Sequence, residues 1–244
     1  MGAMRTACCM VRRATLATMG LVLLAGCGAG GVPAKDDGKD RGGRAAEAAG
    51  YTKNIPGVGA KLRSRIPGDA RQVVAVYGKG ADAPDATLAL YTKAPKGWER
   101  TAAWPAHNGR KGWTTDHHED DLRSPVGVFG LSDAGGVLPD PGAKLPYTHS
   151  SAFTPPAYWE KKTRHDFDHV IAIDYNRVKG STPLDPTRPQ GKKKGGGIWL
   201  HLDHGDGTSG CVSISKAGMV SLLRTLDPRL HPVVVMGDTA HLAA

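Results

Sequence analysis

The chain has 244 residues and a formal net charge of +9, with 33 glycines, 17 prolines and four cysteines. Its basic residues are not interleaved with aromatic ones and follow no nucleic-acid-binding signature. The charge therefore favours an anionic polymer or a lipid surface as the partner, and not nucleic acid. The part beyond residue 50 is long enough for one domain with its own core.

Residues 1–26 predict a bacterial lipoprotein signal peptide. A basic beginning is followed by an apolar stretch at 14–25, which is too short to cross a bilayer because spanning takes roughly 20 residues. The stretch ends in Leu24-Ala25-Gly26-Cys27, a pattern typical of the cleavage and lipidation site of lipoproteins. The alternative is an ordinary cleavable signal with a coincidental cysteine at position 27.

Residues 27–50 are predicted to be a lipidated, flexible tether, because their glycines and charges cannot bury a core. Cleavage before Cys27 removes three arginines and no acidic residue, which lowers the net charge from +9 to +6. Acyl chains on Cys27 would hold the protein to a membrane. We therefore expect the protein to be anchored to the outer face of the bacterial cytoplasmic membrane and to face the cell wall.

Short β-favouring runs separated by glycine and proline fill the domain at 51–244. The first two runs, 71–77 and 87–92, flank a Gly/Pro-rich segment and predict a hairpin. The run that starts at Val170 is apolar on both faces, as expected for a buried strand. The remaining candidate strands are 98–104, 126–130, 169–175, 198–202, 211–215 and 232–236.

One main α-helix is predicted at 215–226. Ser215 is a suitable N-cap, and apolar residues at 219, 222, 223 and 226 have the spacing of one buried helical face. Asp227-Pro228 ends the helix. The long connections at 131–160 and 176–197 exceed what a compact domain needs, and such segments more often form lids or walls of binding sites.

Cys211 is the one cysteine in the exported domain. An odd cysteine in an exported protein indicates either an intermolecular link or a reactive group. A thiol has a pKa near 8.5, so a nucleophilic role needs an imidazole nearby. His201, ten positions upstream at the end of an apolar run, is the candidate base. The alternative is a small apolar cysteine that begins a core strand.

A glycine-rich loop joins the two predicted strands that carry His201 and Cys211. Such a loop can bring their facing ends together, so that the imidazole reaches the sulfur. Thr208, Ser209 and Gly210 lie directly before Cys211, and we expect this turn and the Cys211 amide to shape a pocket for an oxyanion. His204 is the main alternative base, although its Asp203-His204-Gly205 setting is more typical of a loop.

At these positions the sequence resembles the L,D-transpeptidases of the YkuD type. Their signature is a histidine on a strand, a variable loop, and then Ser/Thr-His-Gly-Cys followed by a hydrophobic residue. His201, Thr208, Gly210-Cys211 and Val212 match this signature. The segment 123–129 is similar to the family's Thr-Pro-x-Gly-x-Phe/Tyr, with serine for threonine, and the resemblance covers most of residues 65–238.

Three departures distinguish this chain from the family's pattern. Ser209 replaces the histidine before Gly-Cys, Ser213 stands where asparagine or arginine is common, and the His-to-Cys loop is short. The resemblance implies a mostly β, sandwich-like catalytic domain that needs no metal or cofactor. It also implies that Cys211 and His201 form 3→3 cross-links between peptidoglycan stem peptides through an acyl-enzyme.

Three other functions remain open from the sequence. Water in place of the second stem would make the protein an L,D-carboxypeptidase with the same Cys/His site. A non-catalytic envelope-binding lipoprotein is the second possibility, and the serine departures favour it. A metal site is the third, because ligand-type residues cluster at 116–120, 165–169 and 201–206, although none has a known zinc spacing.

Overall fold

β-Strands dominate residues 50–244, the part of the chain that the computed structural model describes. The predicted signal peptide, the lipidated Cys27 and all but the last residue of the predicted tether lie outside the described residues. No helix within residues 50–244 combines the length and the apolar character needed to cross a lipid bilayer.

The described residues form eleven strands and three α-helices, and each of the eight predicted runs overlaps a strand. The predicted hairpin is confirmed, since the first two strands pair in antiparallel fashion. The helices are α1 Ala60–Arg63, α2 Lys216–Thr225 and α3 Thr239–Ala243. The strands are β1 Gln72–Gly78, β2 Asp85–Ala94, β3 Gly97–His107, β4 Trp113–Thr114, β5 Ser124–Pro125, β6 Gly127–Gly136, β7 Tyr147–His149, β8 Val170–Ile173, β9 Trp199–Leu202, β10 Val212–Ile214 and β11 Val233–Asp238.

The main sheet closes on itself, so the prediction of a sandwich-like fold is wrong, while the prediction of a mostly β domain is confirmed. The strand order is β11-β1-β2-β3-β10-β9-β8-β6, and β6 returns to pair with β11. β11 therefore has a parallel neighbour, β1, on one side and an antiparallel neighbour, β6, on the other. This second pairing removes the two free edges that separate sheets would keep, and the result is a closed eight-stranded barrel.

The predicted helix is confirmed as α2, which Ser215 caps by accepting a hydrogen bond from the Gly218 amide at 3.2 Å. Its apolar face enters the larger of two hydrophobic cores, where Met219 and Leu222 are fully buried. Each such side chain contributes about 1.5–3 kcal/mol relative to an exposed one. A smaller core on the other side of β1 and β11 includes residues of α1 and α3.

The parallel pairing of β9 and β10 positions the candidate site. The register places Leu200 beside Val212 and His201 beside Ser213. The connection 203–211 therefore runs back along β9, and on the way Thr208 bridges to Gly109. Cys211 thus lies level with the beginning of β9. The sequence had predicted that it lies near the end of β9, where His201 is.

Candidate active site

Cys211 lies directly before β10, with its sulfur between two backbone groups of the neighbouring segment. The Trp199 amide donates to Sγ at 3.4 Å, and the thiol donates to the Gly197 carbonyl at 3.6 Å. The residue as a whole is half-buried and is not enclosed in the core.

The structure brings His201 and Cys211 to the same face of β9 and β10. Side chains alternate along strands, and Leu200 and Val212 point into the larger core. Their chain neighbours Cys211 and His201 therefore point to the opposite face. The register places Cys211 level with Trp199, two residues before His201, so the two residues are diagonal neighbours on adjacent strands.

His201 is held in the tautomer of a general base. Its Nδ1 lies 2.8 Å from the Leu202 carbonyl, which can only accept, so Nδ1 carries the proton and Nε2 carries the lone pair. The ring is 3% exposed and the Phe167 ring packs edge-on against it at 5.4 Å. Burial lowers the pKa of His201, so the ring is neutral at pH 7. The backbone carbonyl, and no carboxylate, orients this histidine.

His204, the alternative base, follows His201 in the chain. Cys211 lies level with Trp199, which precedes His201, so His204 is farther than His201 from the level of Cys211. Its ring stacks on that of His201 at 6.4 Å between centroids. Its Nδ1 donates to the Asp166 carboxylate at 3.0 Å, and this hydrogen bond raises the pKa of His204. The geometry therefore favours His201 as the base and gives His204 a supporting position behind it.

The turn before Cys211 is fixed by the buried hydroxyl of Thr208. This hydroxyl donates to the Cys211 carbonyl at 2.6 Å and accepts from the Gly210 amide at 3.1 Å. Gly210 has a φ of +147°, and a β-carbon there would stand 3.0 Å from the Arg123 carbonyl. Ser209 lies half-buried in the same turn. Thr208 thus holds the backbone of the turn, and the Gly210 amide is directed to Thr208.

Ser124, which lies in the segment 123–129, also holds this turn. Its fully buried hydroxyl donates to the Gly210 carbonyl at 2.7 Å and accepts from the Gly109 amide at 2.9 Å. A hydroxyl before Pro125 therefore has a structural role in this chain. The hydroxyl fixes a carbonyl next to the nucleophile, so the backbone of the turn stays in one orientation.

Ser213, one of the departures from the family pattern, has a structural partner. It is fully buried beside His201 and donates to the Asp203 carboxylate at 2.8 Å. His107 approaches the same carboxylate oxygen at 2.7 Å. Burial alone would raise the pKa of Asp203, but these two hydrogen bonds outweigh it and lower the pKa. Ser213 therefore anchors the connection that follows β9.

His117 is a site residue that sequence reasoning missed, since it appeared there only within a metal-type cluster. Its ring is 5% exposed and lies 3.5 Å from the place where a β-carbon on Gly210 would stand. Nδ1 is 3.0 Å from the Asp121 carboxylate. Burial lowers the pKa of His117. The residue comes from a distant part of the sequence, and no local pattern signals its approach to Cys211.

The connection 176–197 ends beside the thiol. Asn176 is buried and donates to the carbonyls of Gly191 and Gly195 at 3.0 and 2.6 Å. The Gly197 carbonyl at the end of the connection accepts from the Cys211 thiol. A role of this connection as a lid or a binding wall stays a prediction. The other long connection, predicted at 131–160, begins as a continuation of β6.

Ligand-type side chains from the clusters at 116–120, 165–169 and 201–206 form pairwise contacts with other side chains. Asp116 pairs with Lys194, His169 contacts the Tyr147 hydroxyl at 2.8 Å, and His204 pairs with Asp166. Within residues 50–244, no group of three or more His, Cys, Asp or Glu side chains is arranged to hold a metal ion.

Comparisons with known proteins identify no family for the chain. No protein-family model and no curated protein matches it. Among solved structures, the chain is similar to Bd1075 of Bdellovibrio bacteriovorus, with 16% sequence identity and a TM-score of 0.39. The match covers 68% of this chain and 47% of Bd1075, so the chain spans about half the length of that protein. A similarity of this size carries no argument about function.

Proposed function

We propose that the protein is a peptidoglycan L,D-transpeptidase of the YkuD type, with Cys211 as nucleophile and His201 as base and acid. One observation carries the proposal. The N–H at Nδ1 of His201 donates a hydrogen bond to the Leu202 carbonyl, which leaves Nε2 as the basic nitrogen. His201 lies on the same face of the β9–β10 pair as the half-buried Cys211. The match of the sequence to the family's signature adds to this. The proposal rests on the site and not on a sandwich fold.

The first step forms a thioester. Nε2 of His201 takes the thiol proton, and the Cys211 sulfur attacks the carbonyl of the amide between the third residue and D-Ala of a tetrapeptide stem. The backbone N–H of Cys211 stabilises the oxyanion, because the Gly210 N–H is directed to Thr208. The imidazolium then gives its proton to the leaving nitrogen. D-Ala departs as an amine, and the rest of the stem stays on the sulfur.

The second step transfers the acyl group. The side-chain amine of the diamino acid in another stem attacks the thioester carbonyl, and Nε2 of His201 accepts the proton that the amine loses. The sulfur leaves as a thiolate and takes that proton back. The product is an amide between the third residues of two stems, which is the 3→3 cross-link, and the enzyme regains its starting state.

The location of this reaction is part of the proposal. A lipid on Cys27 would keep the domain at the outer face of the cytoplasmic membrane, within reach of the cell wall. The net charge of +6 that remains after cleavage suits the anionic polymers of the envelope. Intact-mass analysis of the membrane-extracted protein tests this part, and an unmodified Cys27 would contradict it.

Acylation by a carbapenem, measured by intact mass under reducing conditions, tests the chemistry. We expect one adduct on the full chain and none on Cys211→Ser, while circular dichroism shows both proteins folded. A folded full chain without an adduct would favour the non-catalytic envelope-binding lipoprotein.

The fate of the acyl group needs a second assay. Incubation with muropeptides and mass analysis of the digest should give cross-linked dimers. Trimmed tripeptides without dimers would identify an L,D-carboxypeptidase.

A further inference from the structure

A cavity of about 220 Å³ lies beside the first residues of the domain. Its apolar lining includes Ile55, Ile66 and Trp98. The backbone of Thr52 exchanges two hydrogen bonds with that of Trp98, at 2.9 and 2.7 Å, and so fixes the beginning of the domain to β3. A β-carbon on Gly97 would stand 2.5 Å from the Thr52 carbonyl oxygen, so glycine permits this close approach. The residues that follow the predicted tether therefore form part of the cavity wall.

Three cationic residues line the same cavity, namely Lys53, Arg63 and Lys93. Nζ of Lys93 lies 5.4 Å from the centroid of the Trp98 ring. The Arg63 guanidinium donates to the Val58 carbonyl at 3.4 Å. Neither contact involves a carboxylate, so both cations keep their full charge for a ligand. All three residues are exposed, and a ligand can therefore reach them from the solvent.

Acidic residues do not compensate this positive charge. Within the described part of the chain, the lining contains no aspartate or glutamate. Asp69 follows a lining residue, but its carboxylate lies 3.7 Å from the His231 ring. Glu99 follows Trp98, and the alternation of side chains along β3 directs it to the opposite face. The cavity thus combines an excess of positive charge with an apolar wall.

A phosphodiester matches this combination. Lysine and arginine bind phosphate oxygens through charge-assisted hydrogen bonds, and the glycerol carbons next to the phosphate suit an apolar wall. In the bacterial envelope, phosphodiesters occur in phospholipid headgroups and in anionic wall polymers.

The position of the cavity in the chain favours the lipid. Lys53 follows Cys27 by 26 positions, and a flexible segment of that length spans about 25–30 Å on average. A lipid on Cys27 would therefore keep the cavity within reach of the membrane surface.

We propose that this cavity binds the phosphodiester of an anionic phospholipid headgroup, with Lys53, Arg63 and Lys93 as the groups that contact the phosphate. The inference rests on the proposed membrane location and not on the chemistry at Cys211.

A headgroup in this cavity would also orient the domain. The cavity lies at the beginning of β3, whereas β10 pairs with the other end of β3, at Ala106 and His107. The membrane contact would therefore be remote from the strand that follows Cys211, which leaves the candidate site accessible to the cell wall.

Vesicle binding by the full chain tests the proposal. The probes are vesicles of phosphatidylcholine and vesicles of an equal mixture of phosphatidylcholine and phosphatidylglycerol. The apolar stretch at 14–25 meets the same hydrocarbon in both, so the ratio of the two affinities measures the preference for the anionic headgroup. Combining Lys53→Gln with Lys93→Gln should lower this ratio about tenfold or more, because each cation near an anionic surface contributes about fivefold. An unchanged ratio would overturn the proposal.

The matched control combines Lys111→Gln with Lys179→Gln. Both lysines are exposed, neither lines the cavity, and the change in net charge is the same. This control should lower the ratio much less. Equal losses in the two double variants would show that overall charge and not the cavity determines the preference, and the proposal would fall.

Lysine acetylation, read by mass spectrometry, locates the contact without any substitution. Anionic vesicles should protect Lys53 and Lys93 and leave Lys111 and Lys179 reactive, while vesicles of phosphatidylcholine protect neither pair. Equal modification of all four lysines would contradict the site. Soluble poly(glycerol phosphate) is the second probe. If it protects Lys53 and Lys93 better than anionic vesicles at equal phosphate concentration, the occupant is a wall polymer and the lipid assignment is wrong.

The proposed function and this inference can fail separately. An unmodified Cys27 in a protein whose cavity lysines are protected by anionic vesicles would refute the lipid anchor and support the headgroup site. A carbapenem adduct on a protein whose cavity lysines stay reactive would refute the headgroup site alone.

Discussion

The two faces of the β9–β10 pair carry opposite kinds of residue. Leu200 and Val212 on one face are fully buried in the larger core, next to α2. On the other face, His201 is covered by Phe167 and Cys211 remains half-buried. One short stretch of backbone therefore serves both as a structural element and as the carrier of the proposed nucleophile and base.

This contrast shows how a half-buried thiol can be positioned without being enclosed in the core. Strand alternation fixes the direction of every second side chain, so the apolar face determines where the polar face points. The core residues hold the register, and the register holds the imidazole diagonal to the thiol. Substitutions on the two faces should therefore affect different measurements.

Replacing His201 should cause the largest loss of function. His201→Gln removes the basic Nε2, and general-base catalysis typically contributes about 10²–10⁴-fold. We expect the carbapenem acylation rate per folded molecule to fall by that factor, and urea unfolding reports separately the cost of changing this buried ring. His204→Gln is the control and should lower the rate much less, because His204 lies behind His201. Equal losses in the two variants would contradict the assignment of the base.

Replacing Leu200 should show the opposite pattern. Leu200→Ala removes a fully buried side chain next to His201, and such changes cost about 2–5 kcal/mol. Urea unfolding should report this loss, and acylation per folded molecule should stay close to that of the unaltered protein. A variant with normal stability and strongly reduced acylation would show that the two faces are not separable.

Much of the fold could be predicted because the signals are local. The run at 71–77 and the apolar spacing from Met219 to Leu226 each lie within one element, so neighbouring residues suffice to identify β1 and α2. The closure of the sheet could not be predicted. It depends on the pairing of β6 with β11, and strands of a barrel and of a sandwich have the same alternation.

The candidate site was predictable to the same extent. Cys211 and His201 lie close in the sequence on elements with clear apolar patterns, and the glycines before the cysteine predict a turn. His117 and Phe167 could not be recognised, since they come from connections in other parts of the chain. The sequence also does not show whether two strands joined by a short connection run parallel. The prediction of which end of β9 lies beside Cys211 was therefore wrong.

Removing the Thr208 hydroxyl should have a moderate effect on stability and on the acylation rate, because this hydroxyl holds the turn that leads into Cys211 and β10. Thr208→Val keeps the shape of the side chain but loses the hydrogen bonds to the Cys211 carbonyl and the Gly210 amide. Leaving such buried groups unsatisfied costs about 1–3 kcal/mol. Thr208→Ser keeps the hydroxyl and is the control, which should remain closer to the unaltered protein in urea unfolding and in acylation. Two indistinguishable variants would contradict this role.

The smallest expected effect is a shift in the acid limb of the pH–rate profile. Acylation needs the neutral imidazole, and burial lowers the pKa of His201 below its ordinary value of 6.5. The rate should therefore persist as the pH falls through 6.5 and decline only when the pH passes the lower pKa of the folded protein. Phe167→Ala admits water to the ring, so it should move the limb upward toward 6.5. Carbapenem acylation rates between pH 4.5 and 7.5 measure the acid limb of the unaltered protein and that of Phe167→Ala. A limb above 6.5 in the unaltered protein would mean that burial does not control this histidine, and the polar face of β9 and β10 would then be open to solvent.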